Sequence, residues 1–589
     1  MRVSNELSWK VAGEAGDGIL NAGLALFGKT CQLGGLSVMA TAEYPSLIRG
    51  GHNHLDVRVS SSQLTSHTKK VTLLLALDKN SIEKHFRKIV PGGGIIYDGE
   101  KIKDLTLPRS DVRLFPVPLL RLATEAGHEI YRNTIGIGAS FALLDSGLEL
   151  LNQVIRDNFK RKGDRVVEGN QHAAKRGYEY IKQHFPEEFP FQLQFGQANG
   201  HLFISGNEAI SVGAIKAGCK FYAAYPMTPA SSLLHVFAKH ERDFGIVVKH
   251  TEDEIAAINM AIGASFAGAR AMTGTSGGGF SLMVEGFGLA AQTETPLVVV
   301  EAMRPGPATG MATHSGQGDL RFVLHASTDE FPRIVIAPGD VPECYDLTIQ
   351  AFNLAEKYQL PVIILTDKYL GESYWTVPVF PARVGIERGP FLNNGHAVGG
   401  KYLRYQNTPS GVSPRTVPGV KGGAFVASSY EHDEEGFERE EEEIRVMMHQ
   451  KRFRKLESAK QEIPDPALVG PANAEVTFLS WGSPKGPILE AMELLKAEGI
   501  SSNFLQVVFL SPFPSETVAS VLDQARLPVV VESNYTSQLT SLIREHCLKD
   551  VRHKILRYDG RPFNPEDIAG QVKALISPGR GYRGKTGGY

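Results

Sequence analysis

Cysteine is scarce in this 589-residue chain: Cys31, Cys219, Cys344 and Cys547 are scattered, with no Cys-x-x-Cys pair. Such spacing gives no seed for an iron–sulfur cluster or a structural zinc site, so any electrons released by a reaction here leave through another chain. Net charge is lacking too. The 62 Lys and Arg residues nearly cancel 64 Asp and Glu, leaving −2 and no overall field to draw in nucleic acid or an anionic membrane. Apolar runs such as Pro296-Leu297-Val298-Val299-Val300 fall far short of the ~20 residues a membrane span needs. The start, Met1-Arg2-Val3-Ser4-Asn5-Glu6, has no signal-peptide apolar core, and a cytoplasmic chain is expected. Length is in surplus for one core: at ~100–200 residues per domain the chain should divide into about three or four.

Residues 1–190 alternate strand-like runs (Trp9-Lys10-Val11-Ala12, Thr72 to Leu77) with helical stretches such as Leu20 to Leu33, the pattern of an α/β domain. A Lys/Arg-rich helical segment, Asn158 to Phe185, precedes a proline-bounded linker, Phe185-Pro186-Glu187-Glu188-Phe189-Pro190. Residues 196–375 carry strand candidates at 221–224, 246–249, 270–273, 297–301, 333–337 and 361–366 with helix-length spacers, which predicts a doubly wound parallel sheet. Residues 376–470 turn Gly/Pro-rich, then strongly charged from Glu431 to Lys455, and read as an irregular connection ending in an exposed helix. A last α/β unit is expected over 472–577, with strands near 476–480, 504–509 and 528–532, and a tail over 578–589.

Ligands of a parallel sheet bind beyond the carboxyl ends of its strands, and four such loops in the middle segment carry chemistry. Tyr225-Pro226-Met227-Thr228-Pro229 leaves a threonine hydroxyl on a turn stiffened by two prolines; a plain helix N-cap is the competing meaning. Glu252-Asp253-Glu254 opens a helix rich in small residues (Ala256, Ala257, Ala261, Ala264). Acids there ordinarily complement the helix dipole, but small neighbours allow a close approach that buries one. Thr275-Ser276-Gly277-Gly278-Gly279 lets main chain lie against a flat ring or phosphate. Arg304, in Arg304-Pro305-Gly306-Pro307-Ala308-Thr309-Gly310, sets a guanidinium on a stiff loop, suited to a carboxylate. Each signal is weak alone; four in order at successive strand ends are stronger.

Together these stretches, with Ile255 to Ser265 and Phe280-Ser281-Leu282-Met283, resemble the α subunit of 2-oxoacid:ferredoxin oxidoreductases, most closely the 2-oxoglutarate type with a γ domain fused ahead of α. Gly13 to Ile19 and Glu43-Tyr44-Pro45-Ser46-Leu47-Ile48-Arg49-Gly50-Gly51 are similar to the γ domain; Trp481-Gly482-Ser483 and Pro512-Phe513-Pro514 resemble the transketolase C-terminal-like domain. The fold implied is multidomain α/β: a γ-like domain, a thiamine diphosphate pyrimidine-binding domain and a transketolase C-terminal-like domain. The resemblance implies that Glu254, nine positions before Gly263, bonds N1′ of the aminopyrimidine, that Thr228 sits beside the 2-oxoacid, and that Arg304 holds the carboxylate that leaves as CO2. Tyr225, Pro226, Ser276, Gly277 and Gly278 would complete the cofactor contacts, and no metal ligand is assigned to this chain. The implied reaction is reversible, CoA-dependent oxidative decarboxylation of 2-oxoglutarate to succinyl-CoA and CO2 with reduction of ferredoxin. Alternatives are the same chemistry on pyruvate or another 2-oxoacid, a non-oxidative lyase or transketolase, or a non-catalytic assembly subunit.

A whole thiamine diphosphate site also needs a Gly-Asp-Gly motif with a downstream asparagine for magnesium and the diphosphate. Gly16-Asp17-Gly18 offers the triplet, but Asn21 lies too near and Asn53 too far, so it reads as part of the γ-like glycine loop. Mg2+, the diphosphate and a [4Fe-4S] cluster are therefore expected on a β subunit, in an (αβ)2 assembly served by ferredoxin and coenzyme A, with the charged helix as one possible dock. Ser537 before Gln538, and the lack of a His-Gly pair after Leu320, depart from the family's pattern.

Overall fold

The structure, a computed structural model, describes residues 2–46, 50–392 and 401–576. Leu47, Ile48 and Arg49 of the γ-like motif, and the tail expected over 578–589, lie outside the described residues. The chain divides into two compact units: Met1–Ser205 with Glu372–Val379, and Gly206–Gly371 with Phe380–Tyr589.

The first unit is built on an eight-stranded sheet in the order Arg113–Val117, Ile89–Asp98, Val71–Ala76, Leu7–Glu14, His52–Ser60, Ser37–Glu43, Tyr374–Val377, Leu202–Ser205. Val71–Ala76 and Leu7–Glu14 are buried almost throughout, which is why they read as continuous apolar runs. The last two strands stand at the ends of what the sequence suggested was the middle domain. They pair antiparallel with each other, and Tyr374–Val377 pairs with Ser37–Glu43. The helical stretch expected from Leu20 to Leu33 is a wide-turned helix, Asn21–Gly28, continuing as Lys29–Leu33. Asp17 accepts from the Glu14 N–H at 2.9 Å and from Arg132 at 2.8 Å: its carboxylate braces the glycine loop.

The second unit holds two sheets. Seven strands run in the order Val247–His250, Cys219–Ala224, Arg270–Thr275, Leu297–Met303, Pro361–Asp367, Ile334–Ile336, Phe509–Ser511. The first six are parallel and the last is antiparallel. The sequence pattern suggested a single strand over 504–509. Instead Ser502–Gln506 belongs to a five-stranded sheet with Val476–Ser480 and Pro528–Glu532, and Phe509–Ser511 crosses to the larger one. Val507 donates to Ser480 and Val508 accepts from Ala337, each at 2.8 Å, so the switch occurs between these neighbours.

The charged connection needs correction. Its helix, Glu442–Lys460, does not face water all round: Met448, Lys451, Lys455 and Ala459 are buried along one face. Lys451 donates to both oxygens of the buried Glu294 at 2.7 Å, and Lys455 also bonds that carboxylate. Glu356 plays the same part further on, accepting from Arg270, Arg388 and Arg415 at 2.7–2.9 Å. Buried charges persist only when paired; the Glu294 cluster holds the helix Glu442–Lys460 in place, and the Glu356 cluster joins Arg388 and Arg415 to Arg270 on the large sheet.

Candidate active site

Because the seven-stranded sheet is parallel over six strands, the loops after Val247–His250, Cys219–Ala224, Arg270–Thr275 and Leu297–Met303 emerge side by side. These are the four loops the sequence singled out. At the first, Asp253 is the N-cap of the helix Glu254–Phe266 and accepts from the Ala256 N–H at 2.8 Å. With the cap taken by Asp253 and Glu252 exposed to solvent, Glu254 alone turns inward, with 3% of its surface accessible. Its Oε1 has no hydrogen-bond partner. Burial raises the Glu254 pKa above the usual carboxylate value; a backbone N–H opposes this and the Asp253 charge adds to it.

The carboxylate lies against the third loop. Ser276 caps the helix Gly277–Gln292 by position, yet its side chain makes no capping bond, and its buried Oγ has no partner. A Cβ on Gly279 would overlap Thr275 Oγ1 and come 2.5 Å from Glu254 Oε1, whereas one on Gly278 would meet only the Ala308 carbonyl, at an ordinary 3.8 Å. Glycine at 279 is therefore what lets the acid and the turn share one floor. At the second loop, Thr228 is half-buried and Tyr225 exposed, and the Pro229 carbonyl accepts from Asn207 at 2.9 Å. At the fourth, Arg304 donates through Nη1 to the Thr228 carbonyl at 2.7 Å while its buried Nε has no partner. The structure thus joins Thr228 to Arg304 and Glu254 to the Ser276–Gly279 turn.

Behind these loops is a carboxyl cluster that the sequence reading missed. Glu301 is fully buried with both oxygens unpartnered, and its pKa stands well above the usual range through burial first, then Asp319 and Asp367, with Arg304 opposing. Asp319 lies over Gly277, where a Cβ would come 2.5 Å from its Oδ2. Asp367 accepts from Ser315 at 3.2 Å and from Ser483. The signal was a lone glutamate in the apolar strand Leu297-Val298-Val299-Val300-Glu301-Ala302-Met303, since an apolar strand does not bury an acid without a local reason.

Three family models match the chain. One, described as pyruvate flavodoxin/ferredoxin oxidoreductase, thiamine diP-bdg, covers residues 212–451; one for pyruvate ferredoxin/flavodoxin oxidoreductase covers 8–180; and one for the transketolase C-terminal domain covers 467–579. A 2-oxoacid:ferredoxin oxidoreductase α subunit from Sulfolobus sp is 32% identical, over 97% of this chain and 97% of its own. A 2-oxoglutarate synthase subunit from Methanothermobacter marburgensis is 33% identical over 63% of this chain and 98% of its own. Among solved structures, 2-oxoglutarate:ferredoxin oxidoreductase from Magnetococcus marinus, with 2-oxoglutarate, coenzyme A and succinyl-CoA bound, aligns over 97% of this chain and 100% of that chain. The TM-score is 0.90 and the identity 33%. No described helix is long and apolar enough to cross a membrane.

Proposed function

This chain belongs to the family of 2-oxoacid:ferredoxin oxidoreductase α subunits, and from that premise we propose that its substrate is 2-oxoglutarate, converted reversibly with CoA to succinyl-CoA and CO2 as ferredoxin is reduced. The substrate assignment is supported by the 2-oxoglutarate synthase relative and by the Magnetococcus marinus enzyme, captured with 2-oxoglutarate and succinyl-CoA. Relatives named only for 2-oxoacids favour a second reading, in which pyruvate or another 2-oxoacid is also accepted.

The observation that carries the site assignment is the buried, unpartnered Glu254 carboxylate seated on Gly279 beside the unpartnered Ser276 hydroxyl. A buried polar atom left unsatisfied costs stability, and its persistence fits a group kept for a ligand. The donor set and the open glycine floor suit the aminopyrimidine end of thiamine diphosphate. Glu254 would hold a proton at N1′, Ser276, Gly277 and Gly278 would lie along the ring, and Tyr225 and Pro226 would border it. When bound, thiamine diphosphate supplies the carbanion stabilisation that decarboxylating a 2-oxoacid requires. Glu254 would take and return the N1′ proton, and burial, which raises its pKa above the usual carboxylate value, favours the protonated form that such a bond needs. Thr228, held by Arg304 through its carbonyl, offers its hydroxyl beside the 2-oxoacid. The unpartnered Nε of Arg304 is a charged donor for the carboxylate that departs.

We further assign Mg2+, the diphosphate and a [4Fe-4S] cluster to a β subunit, in an (αβ)2 assembly. The four cysteines are unclustered, and three are buried. Around the site Tyr225, Ile255, Met260 and Leu282 are exposed, an apolar rim that suits a docked partner. The test is steady-state ferredoxin reduction by the co-purified αβ complex against a panel of 2-oxoacids, with and without CoA. Preference for 2-oxoglutarate and dependence on CoA are expected. Equal turnover of pyruvate would replace the first reading by the second, and full activity in a Glu254→Gln complex would leave the chain as a non-catalytic assembly subunit.

A further inference from the structure

In the first unit the strand His52–Ser60 runs antiparallel to Leu7–Glu14, with Asp56 opposite Lys10 and His54 opposite Ala12. Side chains two apart on a strand share a face, so His52, His54 and Asp56 project together. His85 ends the helix Lys79–His85 and meets that face: His52 Nε2 lies 2.8 Å from His85 Nε2, and one ring nitrogen from each of the three histidines lies within 4.8 Å of the others. His54 and His85 are buried and His52 is half-buried. Nδ1 of His52 and Nδ1 of His54 are buried without any partner, which no function assigned above accounts for.

We propose that His52, His54 and His85 form a binding site for a divalent transition metal of the Zn2+ class, held by three imidazoles with a remaining coordination position open beside His52. Imidazole is a preferred ligand of such ions, and three protein ligands with one open position is a recurrent zinc arrangement. His54 has carboxylates beside it of the kind that support such a ligand: its Nε2 is 3.4 Å from Asp56 Oδ2 and 3.9 Å from Glu43 Oε2, and a proton held on that side would leave the unpartnered Nδ1 as the ligating atom. The charges facing the cluster are Glu43, Asp56 and Asp78 against Lys10, Lys84 and Lys88. Lys10, whose Nζ is 3.5 Å from His85 Nδ1, is itself neutralised by Asp56 at 2.9 Å. A metal here would fasten the helix to the sheet.

The test uses the full-length chain co-purified with its partner, dialysed against a chelator, exposed to a small excess of Zn2+ and desalted before elemental analysis. Wild type should retain one Zn2+ per chain more than the His52→Gln/His54→Gln and His85→Gln variants, and Asp56→Asn should weaken Zn2+ binding by about 10- to 100-fold. Zinc should also raise the unfolding temperature of wild type but not of the variants. X-ray absorption at the zinc edge of wild-type protein needs no variant to fold, and imidazole scattering is expected there. Equal zinc retention in wild type and variants, or an edge spectrum without imidazole ligands, would overturn the proposal in favour of a neutral, hydrogen-bonded histidine cluster.

Discussion

Arg304 donates to the main-chain carbonyl of Thr228 at 2.7 Å, so the loop after one strand holds the turn after another two places away in the sheet. One arm of the guanidinium is committed to position, while Nε remains for substrate. Lysine would keep the charge but could not serve both. Arg304→Lys should therefore lower kcat/KM for the 2-oxoacid by about 10- to 100-fold, the cost of a lost charged hydrogen bond of about 1.5–3 kcal/mol. Steady-state kinetics of the complex checks this, with KM expected to carry much of the change.

For Glu254 activity and stability should move in opposite directions. Glu254→Gln removes the proton exchange at N1′, and turnover should fall by about 100- to 10,000-fold. The same change removes a buried carboxylate with an unpartnered oxygen. Because the folded-state pKa is raised above the usual value near 4.5, the folded state binds its proton more tightly than the unfolded one. Wild type thus loses stability as pH rises through 4.5 and up to the raised value, after which the penalty is constant. The Gln variant lacks this loss, so chemical denaturation should find it gaining on wild type across that window. A variant that is inactive and also less stable at neutral pH would contradict this account.

What the sequence disclosed follows from locality. The six parallel strands of the large sheet were legible as short runs between helix-length spacers, and the four loops follow four of them directly, so Thr228, Glu254, Ser276 and Arg304 could be picked out one after another. The placing of Tyr374–Val377 beside Ser37–Glu43 depends on which distant strand it meets, and period-2 alternation carries no such information. The charged helix misled because a run of Lys, Arg and Glu usually means a solvated face. Its buried positions, 448, 451, 452, 455 and 459, do follow helical spacing, but two of them are lysines whose acid, Glu294, is over 150 residues away. The His52, His54 and Asp56 alternation was visible on one strand; His85 joins it only through the fold.

Glu294 should matter more to stability than either of its lysines. Lys451 and Lys455 both depend on this one carboxylate, and their positive charges hold its pKa far below the usual range against burial. Glu294→Ala strands two buried ammonium groups and should cost about 3–5 kcal/mol, read from denaturant unfolding. Lys455→Met leaves the Lys451 pair intact and removes a buried charge, so its cost should be much smaller. Equal losses in the two variants would show that the cluster does not share one acid.

Gly279 tests the floor of the site without touching a charge. In a helix interior, replacing glycine by alanine ordinarily stabilises by about 1 kcal/mol, and Gly279 lies within the helix Gly277–Gln292. Here the added methyl would overlap Thr275 Oγ1 and press on Glu254 Oε1, and overpacking of that kind costs about 1–3 kcal/mol. Gly279→Ala should therefore lower stability rather than raise it. Because Glu254 must yield along with Thr275, ferredoxin reduction should fall by about tenfold or more, with the defect growing as thiamine diphosphate is made limiting. Gly278→Ala would meet only the Ala308 carbonyl, at an ordinary 3.8 Å; with no Glu254 to displace, its chain should be at least as stable as wild type and lose activity only through contact with the bound ring. If both variants were equally stable, the close packing of Glu254 on the turn would not be what fixes the carboxylate.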